Sequence, residues 1–155
     1  MKPHSRYAKK LDRKRVLICL IMFFALLPVF SYLHEAGHAL VCIADGNEAE
    51  ISVNFNGGTT LCHGDISNPF PYKISGGLLA GIIGTTIGIA LFRWKIPFIA
   101  LTTIGIGHLV NAVIEAFADS YFTHGAEWSL FLGFIEFVTF FSLMIIFDRK
   151  TVRAV

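Results

Sequence analysis

Hydrophobic side chains gather in four long stretches of this chain, 16–44, 74–92, 96–119 and 128–147, each interrupted by few charged residues. A helix rises about 1.5 Å per residue and needs roughly 20 residues to cross a hydrocarbon layer, so the pattern predicts four transmembrane helices. Pro28 lies inside the first, where its missing backbone N–H is expected to produce a kink. The segment between the first two stretches has a different rhythm. Ile51-Ser52-Val53-Asn54-Phe55 and Thr59-Thr60-Leu61-Cys62-His63 flank Asn56-Gly57-Gly58, a pattern that signals a β-hairpin. Residues 64–71, rich in Gly, Asn and Pro, predict a loop.

Composition removes the alternatives to a membrane fold. The 155 residues are 54% hydrophobic and 15% charged, with a mean hydropathy of +0.63. A domain this small has too much surface for its volume to hide so many Phe, Ile and Leu side chains from water. Abundant aromatics exclude disorder, three cysteines exclude a disulfide scaffold, and a net charge of +2 excludes a nucleic-acid module. Cys19 and Cys42 fall in apolar runs and read as small hydrophobes, whereas Cys62 lies in a polar stretch; no disulfide framework is expected.

Orientation follows from where the basic residues sit. Twelve of the 13 Lys and Arg precede the first helix, join the second to the third, or follow the fourth, and only Lys73 falls in the other loops. Basic residues near membrane ends stay on the cytoplasmic side. The expected fold class is therefore an all-α membrane protein, four transmembrane helices with a short β-hairpin in the first non-cytoplasmic loop, 45–73. It forms one integral membrane domain over 1–155, with cytoplasmic tails 1–15 and 148–155. The basic start followed by apolar residues also fits a signal peptide, but no small-x-small cleavage site follows, and it reads as a retained helix.

The first helix carries His34-Glu35-Ala36-Gly37-His38. Residues four apart share a helix face, so both imidazoles can bind one metal ion while Glu35 reaches a water on that ion, the arrangement of a zinc hydrolase. Ionisable groups at membrane depth cost on the order of 2.5–3.5 kcal/mol each on insertion scales, which favours a functional role over two core histidines and a locally paired acid. A catalytic zinc site needs a third protein ligand. On the third helix His108, Asn111, Glu115 and Asp119 are spaced by three, four and four residues and share one face. His34 lies about 27 Å from Val16 along its axis; Glu115 and Asp119 lie about 28 and 34 Å from Ile96, so either carboxylate can meet the histidines.

The order of these parts, His34-Glu35-Ala36-Gly37-His38, then a hairpin-like segment, a small-residue helix, and an Asn and an Asp on the next helix, resembles the site-two protease family of intramembrane zinc metalloproteases. That family's later motif is Asn-x-x-Pro-x-x-x-x-Asp-Gly. Here Asn111 and Asp119 keep the separation, while Ile114 stands at the Pro position and Ser120 at the Gly position. The likeness covers about residues 30–120. It implies Zn2+ held by His34, His38 and Asp119, Glu35 as general base and then acid, and Asn111 beside the scissile carbonyl. Glu115 then reads as a group orienting a histidine, with ligand as the rival reading, and His108 as a packing residue. His63 and His124 read as ordinary loop histidines. The run 75–88, which includes Gly81 and Gly84, reads as packing that walls the site, and Glu136 as a buried acid that pairs or meets a partner subunit.

The function expected is a membrane zinc endopeptidase that cleaves a membrane protein or peptide substrate near the non-cytoplasmic face, with the lipid bilayer as its solvent and no nucleic-acid partner. The rival is a non-catalytic, protease-like subunit of a larger membrane complex. A third reading is a metal carrier using Cys62, His63 and His124.

Overall fold

A computed structural model describes residues 12–54, 57–118 and 125–147. In chain order the elements are α1 (Arg13–Ala44), β1 (Glu48–Asn54), β2 (Gly57–His63), α2 (Pro69–Ala90), α3 (Lys95–Phe117) and α4 (Gly125–Phe147). All four helices are long and apolar enough to cross a membrane. Their outward faces carry large apolar groups in numbers water would not tolerate: Phe24, Phe134 and Leu130 are 63, 61 and 78% exposed.

Helix α1 starts on Asp12, whose side chain accepts from Lys14 N, and it continues through Pro28 as a single helix. It stops at Asp45. Gly46 takes a φ of 85°, a left-handed turn that glycine adopts freely, and lets Gly46 N donate to Ile43 O and Asn47 N to Cys42 O. The predicted hairpin is present as an antiparallel pair running from Glu48↔His63 to Asn54↔Gly57. Gly57 and Gly58 therefore belong to β2, and residues 55–56 lie outside the described residues.

Two expectations are corrected. The loop predicted over 64–71 ends at Asn68, which caps α2 by accepting from Phe70 N; Pro69 and Pro71 sit in the first turn, where a missing N–H deprives the helix of nothing. Cys42 and Cys62 are also not independent side chains. They form a disulfide with a Cα–Cα distance of 5.9 Å, tying β2 to the last turn of α1. The apolar setting of Cys42 hid this, because its partner arrives only when the hairpin folds back. The loop is stitched to the same end of α1 by Ser67, which donates from N and Oγ to Asp45 at 2.9 and 2.8 Å.

The interior has two apolar clusters. Phe23 and Phe30 of α1, Ala80 of α2, and Ala100, Leu101 and Ile104 of α3 form one; Cys19, Phe98, Ile99, Phe140 and Met144 join α1, α3 and α4 in the other. Helices α2 and α3 pack backbone against backbone, since a Cβ on Gly77 or Gly84 would strike the backbone of Ala112 or Gly105.

Candidate metal centre

From the first residue of α1 to His34 is a rise of about 31 Å, and from the first residue of α3 to Glu115 about 30 Å. Two helices running the same way thus bring these side chains to one level, where they touch. His34 Nε2 lies 3.2 Å from Glu115 Oε1, His38 Nε2 3.1 Å from His34 Nε2, and His38 Nε2 3.6 Å from Glu115 Oε2. All three residues are buried, and they are the one group of His, Cys, Asp and Glu among the described residues whose geometry could hold a metal ion.

Each side chain is steered by neighbours. His38 Nδ1 donates to Tyr72 O at 2.7 Å, which leaves Nε2 of the neutral ring with a lone pair aimed into the cluster. Ser75 Oγ donates to the same carbonyl at 2.8 Å and so holds the acceptor in place. Gly76 lies against the His38 ring with no room for a Cβ, and Gly37 meets the backbone at Ser75 in the same way, so α2 walls the site as expected. Asn111 Nδ2 donates to Glu115 Oε1 at 3.2 Å, one helical turn away. His108 packs its ring 5.4 Å from that of His34 and 6.1 Å from Phe30, a packing neighbour as the sequence suggested.

The donor set suits a divalent ion. With metal–ligand bonds of about 2.0–2.1 Å, the edges of a tetrahedron measure about 3.3 Å; the two imidazole nitrogens lie 3.1 Å apart, and each has its own Glu115 oxygen at 3.2 Å (Oε1) or 3.6 Å (Oε2), close to that value. Without a metal and with Glu115 ionised, one hydrogen on His34 Nε2 would have to serve both Glu115 Oε1 and His38 Nε2. Glu115 Oε2 is buried with no hydrogen-bond partner among the described residues, as is His34 Nδ1. A buried carboxylate oxygen left unpaired is costly, and a cation answers that cost. No family model, curated protein or solved structure matches this chain. The chemical assignment therefore rests on the geometry alone.

Sequence reasoning placed His34, His38, Glu115 and Asn111 in one neighbourhood, and they do meet. Asp119, the third ligand implied by the resemblance, lies outside the described residues, as does His124. His63 is exposed, with Nε2 3.9 Å from Glu50 Oε2 on the paired strand. Glu136 projects against Gly107 of α3 and borders an apolar cavity of about 270 Å³ lined by Leu20, Phe24 and Phe140. Unforeseen was Thr60 of β2, whose Oγ1 lies 2.7 Å from Glu35 Oε2 and 2.9 Å from Glu35 O. The strand sequence Gly57-Gly58-Thr59-Thr60-Leu61-Cys62-His63 has no apolar–polar alternation that would have singled Thr60 out.

Proposed function

We propose that the chain is an intramembrane zinc endopeptidase whose metal is held by His34, His38 and Glu115, and which cleaves a membrane-associated substrate near the non-cytoplasmic face. The observation that carries this reading is the convergence of two imidazole nitrogens and a carboxylate at tetrahedral-edge distances, with Glu35 next in sequence to the first ligand. When bound, zinc supplies Lewis acidity, polarising a carbonyl and acidifying water at its open position.

The chain's own residues do the rest. Glu35 takes a proton from the attacking water and returns it to the leaving amine nitrogen. Asn111 spends one amide hydrogen on Glu115 Oε1 and keeps a second for the oxyanion that forms on the substrate. Tyr72 O and Ser75 keep the His38 ring oriented. A helical substrate buries its carbonyls in internal hydrogen bonds, so it must be locally unwound before attack.

Two features at opposite ends support the orientation. Twelve of the 13 basic residues lie before α1 or in its first turn, in or next to the α2–α3 connection, or after α4, whereas the Cys42–Cys62 bridge lies at the other end, and disulfides persist in oxidising compartments. That bridge also removes the Cys62 thiolate on which the metal-carrier reading depended. The protease-like assembly subunit keeps one argument, Glu136 beside its apolar cavity on α4. Co-expression with single-span reporter proteins separates the two: Glu35→Gln should keep its zinc and lose cleavage by about 10²–10⁴-fold. Equal processing by both forms, with a stoichiometric partner co-purifying, would establish the subunit instead.

A further inference from the structure

Three alternate residues of β2, Gly58, Thr60 and Cys62, are the half-buried ones on a strand whose other positions are exposed. All three meet α1. Gly58 lies against Glu35, so close that a Cβ would come within 2.5 Å of its Cγ and 2.8 Å of its Oε1. Thr60 reaches Glu35 Oε2 at 2.7 Å, and Cys62 is bonded to Cys42. The two rails are comparable in length: Glu35 to Cys42 rises about 10 Å along the helix, and Gly58 to Cys62 about 13 Å along the strand. Tyr72 OH donates to Thr60 O at 3.4 Å, tying the same strand residue to the helix whose carbonyl orients His38.

We propose that the hairpin is a latch on Glu35, with Thr60 as the positioning residue, Gly58 as the space the carboxylate needs, and the Cys42–Cys62 bridge as the fastener that keeps β2 in register. The inference rests on the reading of Glu35 as the proton carrier and adds what holds it. A glutamate has three side-chain torsions, and an unrestrained carboxylate would spend much of its time away from the attacking water. Thr60 has one hydroxyl hydrogen. Given to Oε2, it pins that oxygen and leaves Oε1, which no donor engages among the described residues, to take the proton. Gly58 faces Oε1 without a side chain to cover it. The latch acts through Glu35 alone, because neither Thr60 nor Gly58 touches a metal-ligating atom, so metal content and proton transfer become separable.

The test uses the whole chain, purified with zinc, as wild type, Thr60→Val, Thr60→Ser, Glu35→Gln, Glu35→Ala and Glu35→Ala/Thr60→Val. Zinc content, thermal unfolding and cleavage of fluorescently labelled casein, an unstructured probe, are measured for each. Thr60→Val should hold wild-type zinc yet cleave about 10- to 100-fold more slowly, and Thr60→Ser, which restores the hydroxyl, should recover to within about threefold. Thr60→Val should lower the Tm by about 3 °C when Glu35 is present and by clearly less in the Glu35→Ala background, where only the hydroxyl's contact with the backbone oxygen of residue 35 is left to lose. Wild-type cleavage by Thr60→Val, no recovery in Thr60→Ser, or the same Tm loss in both backgrounds overturns the latch. If wild type cleaves no faster than Glu35→Gln, the peptidase reading fails, and the unfolding cycle alone decides whether the latch exists.

Discussion

At the end of the bundle that carries Arg15, Arg93 and Lys95, α1, α3 and α4 meet through Cys19, Phe98, Ile99, Phe140 and Met144. At the other end α1 and α3 meet through His34, His38, Asn111 and Glu115, under a hairpin fastened by a disulfide. The first set is interchangeable in kind. In the membrane we propose for it, lipid tails would be as apolar as these side chains, so the packing there would gain dispersion and shape fit rather than escape from water. The second set is not interchangeable, because each polar atom placed at that depth needs a named partner. A change at the basic end should therefore be read in stability, and a change at the other end in metal.

The largest effect should come from the ligands. His38→Ala and Glu115→Ala should each drop zinc from about one ion per chain to under about a tenth, measured on purified protein after dialysis against a weak chelator. Asp119→Ala should keep its zinc. The reverse pattern, metal lost with Asp119 and kept without Glu115, would return the ligand to the position implied by the resemblance.

Paired glycines sharpen the contrast further. Gly76 and Gly88 both lie on α2 where a Cβ has no room, but the first would strike the His38 ring and the second Thr102. Gly76→Ala should weaken zinc binding by about 10- to 100-fold in a chelator competition, since it moves a ligand. Gly88→Ala should leave that affinity unchanged and lower the unfolding temperature instead. Equal metal affinity in the two variants would show that the glycine helix does not position His38.

Smallest on the metal, and confined to stability, is Ile99→Ala. Ile99 is fully buried in the basic-end cluster, so its truncation should cost about 1–3 kcal/mol of packing while zinc stoichiometry stays at one. A loss of metal in this variant would mean that the halves are coupled and that the division is false.

How much of this could be read beforehand follows the same division. The four long apolar helices were legible because hydropathy over 20 residues is a strong average signal, and their ends missed by a few residues where Pro69 and Pro71 looked like loop and serve as a helix start. The histidine pair was legible from its spacing of four. Between Glu115 and Asp119, however, rise along the helix left both within reach, and only the contact of Glu115 with His34 favours one of them. The Cys42–Cys62 bond was hidden in the apolar setting of Cys42, since a separation of 20 residues says nothing until the hairpin turns back. Thr60 was hidden for the opposite reason. A threonine in a strand is ordinary, and its importance comes from the carboxylate opposite it.

X-ray absorption at the zinc edge of the purified wild-type chain would see a zinc ion bound by two imidazoles and a carboxylate. About one zinc per chain is expected, in a four-coordinate shell of nitrogen and oxygen at about 2.0–2.1 Å, with the outer-shell scattering of two imidazole rings. A chain that binds no zinc, or binds it without imidazole scattering, would contradict that coordination.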